Sequence, residues 1–295
     1  MSVAANGGLE APGLISWAEA LLERSGVPLP RLNAEQLLSY CTGRSRVELY
    51  AYPEREIPQQ EKEAYAAAVR RRAEREPLQY ITGRKGFRHL ELAVDGRTLI
   101  PRPETEMLVE RAVELLRSLG GHPVVVDVGT GSGCIALSLA AECPAAVVHA
   151  TDVSAEALEA ARENALRLGL DGVVAFHLGD LLRALPETMR EKIDAIVCNP
   201  PYIRESDYPS LPPEVREHEP RISLVAGPEG TEVHRRLMQQ ARGWLRPGGW
   251  LLMEGGEDQV DALARTACGL GYAYVEVRQD LNRRPRMVEM RAVAC

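Results

Sequence analysis

The 295-residue chain predicts an α/β protein: a mostly parallel sheet with helices on both faces and an antiparallel terminal strand, preceded by a small helical bundle. Three observations carry this. From residue 122 onward, apolar strand-like runs alternate with helical segments, the pattern of a parallel sheet covered on both sides. Between residues 15 and 76 every strong segment repeats at helical spacing and none alternates as a strand would. The last two β-prone segments, 272–278 and 287–293, are joined by a short polar turn, which pairs them antiparallel.

In chain order, residues 1–13 are small, Gly-rich and expected to fray. Trp17, Leu21 and Leu22 share a helical face, as do Leu32, Leu37, Leu38 and Cys41, with Gly43 as a stop. A third helix follows Pro58, carries Tyr65, Val69 and Arg72, and ends before Pro77. Residues 79–82 and 89–94 are β-prone pieces punctuated by Gly83, Gly86 and Gly96, so a hairpin-like connector is expected. A helix covers 104–119 and a buried strand 122–128. Next come a helix over Cys134–Glu142 and a strand ending at Asp152. Ser154 can cap a helix whose Ala157, Leu158, Ala161, Ala165 and Leu168 share a face, stopped by Gly169. Strands over 173–178 and Ile193–Cys198, and a last helix over 257–270, complete the series. Three parts result: an N-terminal helical domain (1–76) suited to substrate recognition, a connector (77–100) and an α/β domain (101–295).

Apolar residues make up 45% and charged residues 26%, which excludes global disorder. With Lys+Arg 35 against Asp+Glu 42, the net charge of −7 disfavours a stable nucleic-acid partner held by phosphate neutralisation. No apolar run reaches the ~20 residues that span a bilayer. The first residues lack the charged and apolar regions of a secretory signal. The 6 cysteines contain no Cys-x-x-Cys pair and read as free, mostly buried thiols of a reducing compartment, so a cytoplasmic location is expected. The 6 histidines are scattered without ligand spacing, so no metal is expected. The run Arg70-Arg71-Arg72 and the pair Arg283-Arg284 read as solvated faces, the first with a minority reading as a contact for RNA or an acidic protein.

Asp127-Val128-Gly129-Thr130-Gly131-Ser132-Gly133 stands where a buried strand turns into a helix. Glycines let backbone approach a ligand there, and the helix start offers unpaired N–H groups; by itself the loop reads equally as a tight turn. A phosphate-binding P-loop is excluded because Cys134-Ile135 follows instead of Gly-Lys-Ser/Thr. The dinucleotide fingerprint is excluded because Gly133 follows Gly131 by two positions instead of three. Asp127, Asp152, Asp180 and Asn199 fall at successive strand ends, where open α/β sheets bind ligands. Asp152 is placed to accept two ribose hydroxyls, and Asp180 an adenine amine. Asn199-Pro200-Pro201-Tyr202 stops its strand, because prolines cannot continue the ladder. It leaves the Asn199 side-chain oxygen and the Pro200 carbonyl as acceptors beside the Tyr202 ring. Acceptors without a strong base suit a planar NH2 group: binding both N–H bonds fixes the nitrogen and turns its lone pair toward an electrophile.

These motifs give the chain a resemblance along nearly its whole length. It resembles class I S-adenosylmethionine-dependent methyltransferases with a Rossmann-like sheet, and among them the release-factor glutamine N5-methyltransferase family (PrmC/HemK). The resemblance rests on Pro77-Leu78-Gln79-Tyr80-Ile81-Thr82-Gly83, Leu99-Ile100-Pro101-Arg102-Pro103-Glu104-Thr105-Glu106, the loop from Asp127 to Gly133, Asn199 to Tyr202 with Ile203, and Glu219-Pro220. It implies that Gly129, Thr130, Gly131, Ser132, Gly133, Asp152, Leu181 and Asn199 line S-adenosyl-L-methionine. It also implies that Asn199, Pro200, Pro201 and Tyr202 hold the glutamine of a Gly-Gly-Gln motif in peptide chain release factors, the expected protein partners. Asn-Pro-Pro-Tyr alone is shared with adenine-N6 DNA methyltransferases, and a ribosomal-protein glutamine methyltransferase is the nearest alternative. A non-catalytic nucleotide-binding protein is the third class, against which the intact acceptor array counts. Leu181 replaces a frequent aromatic, Gly86-Phe87 departs from a frequent acidic–aromatic pair, and Met253-Glu254-Gly255-Gly256 is a looser strand end.

Overall fold

The computed structural model describes residues 10–293, which form two compact units. The first runs through Gly83 and includes Pro212–His218; the second comprises Arg84–Leu211 and the chain from Glu219 onward.

The first unit is helical: α1 Ala11–Arg24, α2 Pro30–Thr42, α3 Arg46–Ala51, α4 Gln59–Ala73 and α5 Leu78–Thr82. Its core gathers Leu14, Ile15, Leu22, Leu37, Leu38, Tyr65 and Val69 from the apolar faces read in the sequence. Three expectations are corrected here. Within the described residues the chain does not fray up to residue 13: Ala11 already opens α1, since Pro12 in a first turn gives up an N–H that has no helical partner. Residues 79–82 are helical, not β-prone, because Ile81 and Leu78 pack onto the bundle and packing overrides the propensity of an Ile–Thr pair. Arg72 is not solvated: it is 4% exposed, donating from Nε to Asn33 Oδ1 (2.8 Å) and from Nη2 to Glu214 Oε1 (2.9 Å). A guanidinium can be buried when its charge is paired and its donors are used. Arg75 forks onto the same carboxylate, so Glu214, from the short helix α9 Pro213–His218, ties its segment to α4. Burial alone would raise the Glu214 carboxyl, but the bonds from Arg75 and Arg72 hold it down at about 2.

The second unit opens with the hairpin β1 Arg84–Phe87 and β2 Leu90–Ala93, followed by α6 Thr105–Leu119. Then come β3 Val124–Val128, α7 Cys134–Glu142, β4 Val147–Asp152, α8 Ala155–Arg167, β5 Val174–Leu178 and β6 Ile193–Cys198. A two-stranded pair of β7 Ile203–Arg204 and β8 Val225–Gly227, α10 Glu232–Ala241, β9 Leu245–Glu254, α11 Val260–Gly269, β10 Tyr274–Gln279 and β11 Pro285–Arg291 complete it. The seven-stranded sheet has the order β10-β11-β9-β6-β3-β4-β5. β3, β4, β5, β6 and β9 run parallel, and the terminal strand β11 slots antiparallel between β9 and β10. Successive residues of β3 feed opposite faces. Val125 joins a core with α6 and α7, and Val126 and Val128 join one with α10 and α11. That is why β3 reads as a continuous apolar run.

The free cysteines vary in burial: Cys143 and Cys198 are buried, Cys41 and Cys134 half-buried, Cys268 exposed; Cys295 lies outside the described residues. Among the described residues no helix is long and apolar enough to cross a membrane.

Candidate active site

The chain runs from β3 to β4 and β5 on one side, then returns to β6 on the other side of β3. This reversal leaves a crevice outside the carboxyl ends of β3 and β6, where open α/β sheets bind ligands. The Gly-rich loop and Asn199-Pro200-Pro201-Tyr202 emerge from these two adjacent strands.

Asp127 is fully buried beneath the loop, and its Oδ2 accepts from Thr130 Oγ1 (2.6 Å) and from the Ala136 N–H (3.1 Å) in the first turn of α7. Burial pushes its carboxyl up to about 7. Asn164, buried on α8, donates to the Ser132 carbonyl (2.9 Å) and the Ala93 carbonyl (3.0 Å), fixing the loop from the other side. Gly129 and Gly131 have φ of 74° and 55°, and a Cβ on either would meet nothing within 4 Å. At Gly133, φ 85°, a Cβ would strike Leu137 Cδ1 at 2.9 Å, so this glycine also lets α7 pack close to the loop. Asp152, half-buried at the end of β4, accepts from Gly131 N–H on Oδ2 and Ser154 N–H on Oδ1, both at 2.9 Å. Each oxygen keeps a further lone pair, and burial raises the carboxyl. An open cradle, an unpartnered buried Asp127 Oδ1 and a carboxylate with free lone pairs fit a nucleoside bearing vicinal hydroxyls. Leu181 is held at φ 52°, a conformation costing a non-glycine residue roughly 1–2 kcal/mol. Strain of this kind concentrates at ligand sites. Asp180 is ion-paired with Arg236.

Asn199 lies one residue beyond β6, with Pro200 buried behind it. Its Nδ2 donates to Thr105 Oγ1 (2.9 Å), and Thr105 Oγ1 donates to Glu254 Oε2 (2.7 Å). Tyr202 Oη reaches Glu254 Oε1 at 3.5 Å, and its backbone carbonyl accepts from Gln259 Nε2 (2.9 Å). The Glu254 carbonyl is held by His234 Nε2 at 2.7 Å. Burial pushes the His234 imidazole down to about 4, which keeps it neutral. The Arg102 guanidinium grips Glu219 at 2.6 and 2.8 Å, joining two segments that carry the resemblance.

Thr105, Asn164 and Glu254 were not among the residues singled out as site residues from sequence. Glu254 carried a signal: it ends an apolar strand adjacent to β6, the same position that marked Asp127 and Asp152. Burial, with Glu104 nearby, pushes its carboxyl up to about 7 although Thr105 bonds to it. The native pKa lies above the ordinary carboxyl value of 4.5, so the folded state binds the extra proton. Its stabilisation is complete below about 4.5 and is lost as pH rises through about 7. Glu254→Gln stays neutral throughout. Thermal melts should therefore show the variant gaining on wild type by on the order of 1–3 kcal/mol between pH 5 and pH 8. A pH-independent difference would mean the carboxyl titrates normally.

Comparison with known proteins identifies the fold and the family. Residues 105–210 match the family model described as a methyltransferase small domain. The solved N-terminal domain of human METTL16, in complex with SAH, superposes with a TM-score of 0.52 at 19% identity, covering 69% of this chain and 76% of that one. Fold and site together define a methyltransferase of the class I, Rossmann-like type. Residues 13–83 match the PrmC N-terminal domain. The release factor glutamine methyltransferase of Chlorobaculum tepidum is 41% identical, covering 92% of this chain and 94% of its own length. That of Deinococcus radiodurans is 43% identical over 94% and 97%. The chain belongs to the release factor glutamine methyltransferase family.

Proposed function

We propose that the chain methylates the side-chain amide nitrogen of the glutamine in the Gly-Gly-Gln motif of peptide chain release factors, with S-adenosyl-L-methionine as donor. The observation that carries the chemistry is the Asn199 amide. Its nitrogen is committed to Thr105, so its oxygen is the atom left to accept from a substrate.

Asp152 would take the ribose hydroxyls; Gly129, Thr130, Gly131, Ser132 and Gly133 would line the amino-acid end, with Leu181 against the base. Asp127 would act through the loop it holds. Asp180, paired with Arg236, would bond an adenine amine only with an oxygen left over from that pair. When bound, the donor supplies a methyl carbon on a sulfonium, an electrophile that needs a positioned lone pair rather than a strong base. Asn199 Oδ1 and the Pro200 carbonyl accept the two N–H bonds of the substrate amide. With both bonds held, the nitrogen is drawn out of conjugation and its lone pair is presented in line. Pro201 fixes the turn, and the Tyr202 ring flanks the amide plane. The N-terminal domain (1–76) would read the protein substrate, with residues 77–100 as connector.

Incubation with methyl-labelled donor and separate panels of release factor, ribosomal proteins and DNA tests this. Label is expected on release factor alone, lost when its Gly-Gly-Gln glutamine is replaced. Label on ribosomal protein or DNA, with none on release factor, would overturn the assignment.

A further inference from the structure

We propose that Thr105 and Glu254 are positioning residues that lock the Asn199 amide with its oxygen toward the substrate. The inference rests on the reading of Asn199 as acceptor for the glutamine amide. An asparagine side chain is nearly symmetric in shape, so its two flip states differ only in what its oxygen and nitrogen meet. Flipped, Asn199 would offer an NH2 group to a substrate NH2 group, donor against donor, and the lone pair would not be held.

The geometry at the end of the sheet removes that degeneracy. Thr105, 1% exposed at the start of α6, has a single hydroxyl proton, and that proton is spent on Glu254 Oε2 at 2.7 Å. Toward Asn199 it therefore presents lone pairs, which accept from Nδ2 at 2.9 Å and would repel Oδ1. Glu254, 3% exposed at the end of β9, cannot swing away: its backbone carbonyl is held by His234, and its second oxygen faces Tyr202 Oη. With Glu254 ionised, donation thus runs one way, from Asn199 through Thr105 to Glu254. Remove the carboxylate and the Thr105 proton is released to bond Asn199 Oδ1, the acceptor the substrate needs. Remove the hydroxyl and the amide loses its bias.

Single-turnover methyl transfer to release factor separates the possibilities. Thr105→Val keeps the shape without the hydroxyl, and Glu254→Met fills the space without the acceptor. Each should slow transfer about tenfold to a hundredfold, the cost expected for a mispositioned reacting group. Calorimetric affinity for the donor should stay unchanged. Thr105→Ser should restore transfer to within about threefold of wild type, and the double variant should be no slower than the slower single, because both act through one amide. The melting temperature of Glu254→Met is measured alongside its rate: slow transfer by a variant that melts like wild type is no folding defect, and it decides the matter if Thr105→Val folds poorly. Wild-type rates in both single variants, or a Thr105→Ser as slow as Thr105→Val, would overturn the lock while leaving the acceptor role of Asn199 standing. A normal rate in Asn199→Ala would instead remove the reading on which the lock rests.

Discussion

Asn199→Ala is expected to bind the methyl donor normally and to transfer its methyl group roughly a hundredfold to a thousandfold more slowly, the usual cost of deleting one preorganised hydrogen-bonding group at a reacting centre. The reason lies in what alanine cannot do. The Pro200 carbonyl would still accept one N–H of the substrate amide, but nothing would hold the other, and an amide free to rotate about one bond keeps its lone pair in conjugation. Asn199→Asp separates binding from chemistry. A carboxylate keeps the size and the acceptor but has no N–H for Thr105, and it would stand near the Glu254 carboxyl. Its charge favours a sulfonium ground state over a transition state in which the sulfonium charge disperses, so affinity should hold while the rate falls. Tyr202→Ala, by contrast, should raise the apparent KM for release factor as well as lower kcat, because in the proposed site the ring would flank the substrate without accepting from it. Rapid-quench measurement of a single turnover checks all three. A near-normal rate in Asn199→Ala would mean that other groups hold the amide.

Why Asn199 was legible in the sequence, and its partners less so, follows from how each is specified. A strand end followed by two prolines is a local event, readable at Ile193–Cys198 and the residues after it. The same holds for the Gly-rich loop, and for the Ser154 cap, whose Oγ accepts from the Ala157 N–H at 3.2 Å. Thr105 is different. It looks like an ordinary helix-start residue, and its role depends on Glu254 lying 149 positions away. Asn164 likewise reads as a polar residue of α8 and becomes a staple only when β2 and the Gly loop close on it. Arg72 misled because a run of three arginines looks like a wet surface, and its half-buried partner Glu214 comes from 142 positions downstream. Residues 79–82 misled in the opposite sense: β-prone side chains formed a helical turn because Ile81 had a core to fill. The strand β9 was read only at its end, Met253 to Gly256, for a related reason: Pro247, Gly248 and Gly249 interrupt its start, yet it carries the carboxylate that accepts from the Thr105 hydroxyl. Local grammar thus points to the proposed acceptors, while the groups that contact them are fixed by long-range packing.

Asp152→Ala should weaken binding of the methyl donor about a hundredfold to ten-thousandfold, from the loss of two hydrogen bonds to a charged acceptor worth about 1.5–3 kcal/mol each. Two effects combine in that number. The ribose hydroxyls lose their acceptor, and the N–H groups of Gly131 and Ser154, each bonded to the carboxylate at 2.9 Å, are released, so the loop is less well held. Asp152→Asn divides them. It retains an oxygen for one hydroxyl but is uncharged, and its NH2 cannot accept from Gly131 or Ser154 together with the ribose, so its affinity should fall between wild type and alanine. Calorimetry with both S-adenosylmethionine and S-adenosylhomocysteine locates the interaction. If Asp152 acts on the ribose, both ligands lose equal affinity, because they share that sugar. A loss confined to the sulfonium ligand would place the carboxylate's effect on the charged sulfur instead, and alanine binding within about twofold of wild type would remove Asp152 from the ligand site altogether. Nicotinamide dinucleotides should bind to none of these proteins, since Gly133 follows Gly131 by two positions where the dinucleotide fingerprint needs three.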